Sequence, residues 1–329
     1  MTNKLVYAGA FFLSLAISYF ATPYVQRLAV EHNVIVQPGG RRVHDKPMPL
    51  WGGIAIFGSF ALTCLLILFG LWLKHGTLGV ALPLIGLLIS GTIILVMGMI
   101  DDMKDLSAAI QTGTIVLAAF ILMAFGARIH FLSNPFGHPK LIILHGALPW
   151  IVSLAWIFLV TKTFDFMDGL DGLAAGIGAI ASGVLAMIAF FSGNAQVTLM
   201  SATLCGACIG FLRYNFNPAK IFMGTGGSQF IGFCLAAISI RGLFKIYAAM
   251  AIALPVLVLG VPILDGLFVV FKRILKGQPI HIADRSHLHH RLLARGLTHK
   301  QAVCVIYTIS ILLGVAAIYI FLRLFINAK

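Results

Sequence analysis

Ten apolar runs, most of them long enough to cross the hydrocarbon core of a bilayer, leave this chain one class of fold, a bundle of membrane-spanning helices. They read at roughly 5–22, 51–73, 78–99, 107–127, 147–163, 173–192, 195–213, 228–240, 246–271 and 302–326. Lipid cannot hydrogen-bond to backbone groups, so each run is expected to be helical and to satisfy its own. The run at 228–240 is short for a span. The one at 246–271 is long and contains Pro255 and Pro262, which predicts a kinked or broken ninth helix. The first run has no small-residue cleavage site behind it and nine runs after it, so it reads as helix one and not as a removable signal. A mean hydropathy of +1.01 excludes an ordinary soluble domain. The expectation is an all-α polytopic membrane protein of about ten helices, forming a single integral domain over residues 1–329.

The sparse charges are distributed unevenly. When alternate connections are assigned to alternate sides, 15 of the 23 Lys and Arg residues share a side and 8 lie on the other. The positive-inside rule makes the first side cytoplasmic and places both termini outside. The acids gather on that same side. Glu31, Asp45, Asp101, Asp102, Asp105, Asp165, Asp168, Asp171 and Asp284 lie between apolar runs, and Asp265 sits late in one. Carboxylates beside hydrocarbon are costly and persist where they pair or bind ions, so their convergence at one level points to a cytoplasmic reaction cleft rather than to loop solvation. A net charge of +13 suits anionic headgroups of membrane lipids and a phosphorylated substrate. No soluble basic domain exists to carry nucleic acid. The five cysteines, including the C-x-x-C pair Cys205 and Cys208, sit within apolar runs and read as small packing residues.

Two connections carry the strongest chemistry. Asp101-Asp102-Met103-Lys104-Asp105 can position a divalent cation, the counter-ions of a phosphate or a proton acceptor, although acids at a helix start also favour the dipole. Asp165-Phe166-Met167-Asp168-Gly169-Leu170-Asp171-Gly172 is more specific. If helical, it places Asp165, Asp168 and Asp171 on roughly one face, with glycines permitting close approach of a ligand. In the last long connection His287, His289 and His290 form an H-x-H-H cluster that, taken alone, also suits zinc. Arg285 and Arg291 flank it and favour an anion.

These motifs, in this order, resemble the polyprenyl-phosphate N-acetylhexosamine-1-phosphate transferases, and the likeness runs over nearly the full length. Arg42-Val43-His44-Asp45-Lys46-Pro47 through Gly53 resembles that family's first cytoplasmic loop, and Asp101-Asp102 its paired aspartates. Asp168-Gly169-Leu170-Asp171-Gly172-Leu173 resembles the D-G-x-D-G-L element, Asn215 to Ala219 the N-x-x-P-A element, and His281 to Arg291 the last-loop histidine motif of the GlcNAc-1-phosphate branch. The resemblance implies a ten-helix fold, frequently homodimeric, in the bacterial inner membrane. It implies attack of polyprenyl phosphate on a UDP-N-acetylhexosamine, with Mg²⁺ or Mn²⁺, to give UMP and a lipid-diphospho-sugar that starts a cell-envelope glycan. Asp101, Asp102, Asp168 and Asp171 are then the expected catalytic residues. Substrate would be held by His44, Lys46, Lys162 and Asn215, and by Arg285, His287, His289, His290 and Arg291 of the last loop.

Four positions depart from that family. It typically has asparagine at Lys162 and Asp165, Lys or Arg at Gln111, and a magnesium-binding aspartate at Thr225. The losses at Gln111 and Thr225 are balanced in charge by Lys162 and Asp165. One reading is a rewired site, in which Asp165 and Asp168 hold a weakly bound metal and Lys162 meets phosphate. The other is a relative in which the Lys162–Asp165 pair replaces the metal, and which binds substrate without turnover. A secondary transporter would need corresponding interrupted helices and charges near the midplane, and neither is seen in the sequence.

Overall fold

The computed structural model describes residues 2–37, 47–75, 82–133, 141–242, 253–277 and 286–327. Their helices are α1 (Thr2–Glu31), α2 (Gly53–His75), α3 (Leu82–Lys104), α4 (Ala108–Ala124), α5 (Leu148–Met167), α6 (Leu173–Phe191), α7 (Ala195–Asn215) and α8 (Gly224–Gly242). Then follow α9 (Ala253–Val258), α10 (Gly260–Leu275), α11 (Leu288–Ala294) and α12 (His299–Asn327). Two small antiparallel ribbons accompany them. β1 (Ile35–Val36) pairs with β2 (Met48–Pro49), and β3 (Phe131–Ser133) with β4 (Leu141–Ile143). The protein is thus an all-α, multi-pass membrane protein, with seven of the described helices long and apolar enough to cross a bilayer. Helix α1 continues beyond the expected end of its apolar run, through Pro23 to Glu31. Leu259, with φ −95° and ψ 17°, separates α9 from α10.

The run that read as a short span is the axis of the bundle. α8 packs against α2, α3, α5, α6 and α7, and apart from Thr225 and Arg241 its residues are all buried. It is not among the seven apolar spans because it opens Gly-Thr-Gly-Gly-Ser-Gln. Those small residues let backbones touch, since a methyl group on Gly226 or Gly98 would collide with the facing helix. Gly206 and Gly210 of α7 act likewise against α1, whose Ser18 Oγ donates to Ala207 O at 2.7 Å. These are close helix crossings of the small-xxx-small kind, made where lipid gives no hydrophobic drive to associate.

At one end of the bundle the chain turns over repeatedly. Trp51 takes a left-handed φ of 72°, which allows Gly52 and Gly53 N–H to donate to Phe222 O (3.0 Å) and Met223 O (2.8 Å). The start of α2 is thereby fastened to the start of α8. The C-terminal ends of α1, α3, α5 and α7 and the N-terminal ends of α6, α8 and α12 line or frame one cleft there. α1 begins and α12 ends at the other end.

Candidate active site

The cleft has a volume of about 560 Å³ and is lined by Asp101, Asp102, Asp105, Asp165, Asp168 and Asp171, together with Thr225, Ser228, His290 and His299. Six of the ten acids of the chain therefore face one space.

Asp101 and Asp102 end α3 and have different work. Asp101 is buried, and its Oδ1 accepts from Leu106 N (2.9 Å) and Gln111 Nε2 (2.9 Å), which fixes the turn into α4. Asp102 Oδ1 accepts from Thr225 N at 2.9 Å, one of the first-turn amides of α8 that lack an intrahelical partner. Gly224 is confined to glycine by that approach, because a methyl group there would strike the Asp102 carboxylate.

The second motif is not helical throughout. α5 stops at Met167, Asp168 is its C-cap, and the chain turns through Gly172 at φ 77°. Asp165, Asp168 and Asp171 consequently do not share a helix face, contrary to the helical reading. The turn instead brings all three to the cleft. Asn215 holds that turn. Its Oδ1 accepts from Gly172 N (3.1 Å) and its Nδ2 donates to Ile221 O (2.9 Å), while Tyr307 Oη donates to Gly172 O (2.5 Å). With its amide engaged on backbone, Asn215 positions the loop, and it also lines the cleft. Asp171 Oδ2 accepts from Asn217 Nδ2 (2.9 Å) and Ala219 N (3.0 Å).

Three of the four departures touch one another. Lys162 Nζ donates to Gln111 Oε1 (2.8 Å) and to Asp165 Oδ2 (2.9 Å), and Asp165 also accepts from Ser228 Oγ (3.1 Å) and Gln229 Nε2 (3.0 Å). A continuous chain of hydrogen bonds thus runs from Asp101 through Gln111, Lys162 and Asp165 to α8. Thr225, the fourth departure, is joined to Ser228 through its carbonyl. Lys162 is not among the residues that line the cleft, and its ammonium is engaged by Gln111 and Asp165, the internal pair that is one of the two readings of the sequence.

Asp168 contrasts with Asp165, since no described residue donates a hydrogen bond to it. Burial, and then the charges of Asp165, Asp102 and Asp171, push its carboxyl up to about 8. The carboxylates that line the cleft with it, Asp102, Asp165 and Asp171, are hard oxygen donors. Among the described residues no three His, Cys, Asp or Glu side chains converge to hold a metal. Magnesium, however, takes one or two carboxylates and completes its shell from water and substrate phosphates. Asp168 with Asp102 fits that description. Asp165, engaged by three donors, fits it less well.

The histidine motif divides. His287 Nδ1 lies 2.9 Å from Asp265 Oδ2, and Leu288 N donates to Asp265 Oδ1 at 2.7 Å, so an acid within α10 anchors the entrance to α11. His289 is buried, its ring parallel to that of His287 at 5.7 Å, and it occupies the space left by Gly169, where a methyl group would collide with it. Burial and the adjacent imidazoles of His290 and His287 lower it to about 3, so it is neutral. Arg291 lies over the ring of Phe268 at 5.0 Å. Among the described residues of this motif only His290 lines the cleft, because residues at i, i+2 and i+3 cannot all face one side. His44, Lys46 and Arg285 lie outside the described residues. Sequence reading passed over His299, which lines the cleft, and made no use of Asp265, whose signal was a single acid inside an apolar run.

Residues 84–243 match the family described as glycosyl transferase family 4. Over 309 residues, 94% of this chain and 83% of the relative, the sequence is 36% identical to a probable undecaprenyl-phosphate N-acetylglucosaminyl 1-phosphate transferase of Bacillus subtilis. It is 34% identical over 313 residues to a decaprenyl-phosphate N-acetylglucosaminephosphotransferase of Mycolicibacterium smegmatis, covering 88% of this chain and 76% of that one. To an undecaprenyl-phosphate alpha-N-acetylglucosaminyl 1-phosphate transferase of Escherichia coli it is 24% identical over 307 residues, 90% and 80% of the two chains.

Proposed function

This chain belongs to glycosyl transferase family 4, and we propose that it transfers N-acetylglucosamine 1-phosphate from UDP-GlcNAc to polyprenyl phosphate, releasing UMP. The observation that carries the reading is the carboxylate-lined cleft at one end of a membrane bundle, where a lipid phosphate and a soluble nucleotide can meet. An oxygen of the lipid phosphate forms a bond to the β-phosphorus of UDP-GlcNAc as the bond from that phosphorus to the bridging oxygen breaks, and UMP leaves with the electron pair. Such a reaction asks the protein mainly for in-line positioning and charge stabilisation.

Asp102 and Asp168 would hold magnesium, which when bound offsets phosphate charge. The remaining groups shape the site around them. Asp101 fixes the α3–α4 turn, Asp171 ties its own turn to the 217–219 segment, and the Gln111–Lys162–Asp165 chain joins α4, α5 and α8. Lys162 here balances the charge of Asp165. That pair is also the observation favouring a second reading, a member that binds substrate without turnover.

The cleft is proposed to face the cytoplasm of a bacterium with both termini outside, which the 15-to-8 division of basic residues supports. A homodimer, implied by the family likeness, is carried as part of the proposal. Purified protein incubated with radiolabelled UDP-GlcNAc, undecaprenyl phosphate and Mg²⁺ or Mn²⁺ should give labelled lipid and UMP. Absence of product with any divalent metal, while UDP or lipid phosphate still raises the melting temperature, would establish the second reading instead.

A further inference from the structure

His299 opens α12 and lines the cleft together with Asp171 and His290. A capping box fixes the turn that carries it. Thr298 N donates to Gln301 Oε1 (2.9 Å), and Gln301 N to Thr298 Oγ1 (3.3 Å). Asn217 then sets its tautomer. The Asn217 amide nitrogen faces Asp171, a carboxylate that can only accept, and the same nitrogen lies 3.4 Å from His299 Nδ1. An amide nitrogen donates and does not accept, so Nδ1 is the acceptor and a neutral ring carries its proton on Nε2. That Nε2 is buried and has no hydrogen-bond partner among the described residues.

A buried N–H without an acceptor is unfavourable in a closed core. In a residue that lines a cleft, a bound ligand can supply the missing acceptor. Six carboxylates line this cleft and repel an anion, so a phosphate entering it depends on the few donors present. On the transferase reading above, we propose that His299 is a substrate-binding residue, donating from Nε2 to a phosphate oxygen. That oxygen belongs either to the diphosphate of the nucleotide sugar or to the lipid phosphate.

The two sources are separated by titrating full-length protein in micelles with UDP and, separately, with a short-chain polyprenyl phosphate. Loss of one hydrogen bond to a charged group corresponds to roughly a 10- to 100-fold weakening. His299→Phe should show it for one of the probes and leave the other within about threefold, and the affected probe identifies the source. His299→Gln, which keeps a donor, should recover most of the affinity. The nearly isosteric His299→Glu, which offers only acceptors when ionised, should not. This Gln and Glu pair decides the matter even if the Phe variant folds poorly. Wild type that binds both probes and releases UMP, with all three variants matching it, overturns this proposal alone. Equal affinity of the Gln and Glu variants for both probes does the same. Wild type that binds neither probe overturns the transferase reading and this proposal with it.

Discussion

Replacing Lys162 with methionine removes a cation that is paired with Asp165 of the acid cluster, and the cost can be worked from its surroundings. The ammonium is 2.8 Å from Gln111 Oε1 and 2.9 Å from Asp165 Oδ2, and the two charged side chains are only 15% and 16% exposed. At that exposure the pair behaves as a buried ion pair, not a screened surface one, and breaking it by removing one partner costs about 3–5 kcal/mol. Asp165 keeps Ser228 and Gln229 as donors, so the lower end, about 3 kcal/mol, applies. Asp165→Asn leaves the ammonium with uncharged acceptors and no counter-charge, and should cost a comparable amount. The double variant Lys162→Met with Asp165→Asn carries no unpaired charge. It should be more stable than the sum of the singles by about 1–3 kcal/mol. Equilibrium unfolding in mixed micelles measures all three, with activity followed in parallel. Asp165→Asn should abolish transfer if Asp165 and Asp168 hold the metal, whereas with Asp102 and Asp168 as its ligands transfer should be reduced but retained. Single variants within about 0.5 kcal/mol of wild type, with an additive double, would refute the internal pair as a structural element of the cleft.

Asp168 supplies a pH signature. Its carboxyl is raised to about 8 in the folded protein against about 3.9 unfolded. Without divalent metal its contribution is therefore present at low pH and is lost as pH rises from about 4 through about 8. Melting temperature in EDTA should fall over that window, Asp168→Asn should flatten the fall, and a rise in melting temperature with pH would contradict it. Asn at Asp102 or Asp168 should lower kcat by orders of magnitude in the UMP-release assay, since the reaction depends on charge stabilisation, and near-normal turnover in both would remove them from the chemistry. Gly169→Ala should displace His289 and reduce both stability and activity, whereas an alanine tolerated there would mean that the buried ring has room to move. Thr225→Asp should tighten Mg²⁺ binding measured by Mn²⁺ competition, because a carboxylate is the better hard-ion ligand.

What was legible in the sequence is what is local. Seven of the ten apolar runs coincide with described helices long and apolar enough to cross a bilayer, since hydropathy averages over one helix. Lys162 and Asp165, three residues apart, could be paired from helical spacing alone. Gln111 could not be joined to them, because its link depends on α4 crossing α5, and Ser228 and Gln229 come from α8, whose burial is hidden by its own polar, glycine-rich start. The helical reading of Asp165 to Asp171 failed at Asp168. There a C-cap and the left-handed Gly172 replace the helix, although the outcome for the cleft is the convergence expected.

The histidines show the same limit in a stronger form. Motif spacing treats His287, His289 and His290 as equivalent donors, but His287 stands at the extended entrance to α11 with φ −59° and ψ 151° and is claimed by Asp265, 22 positions earlier. His289, turned under it, is neutral and fills the space above Gly169. Their contacts therefore hold α11 against the turn that carries Asp168, and among the described histidines His290 and His299 are the ones that line the cleft. A mutation of His289 should thus disturb the placement of Asp168 before it disturbs any single substrate contact. Its signature would be a fall in kcat with loss of both ligands together, in contrast to the selective loss expected at His299.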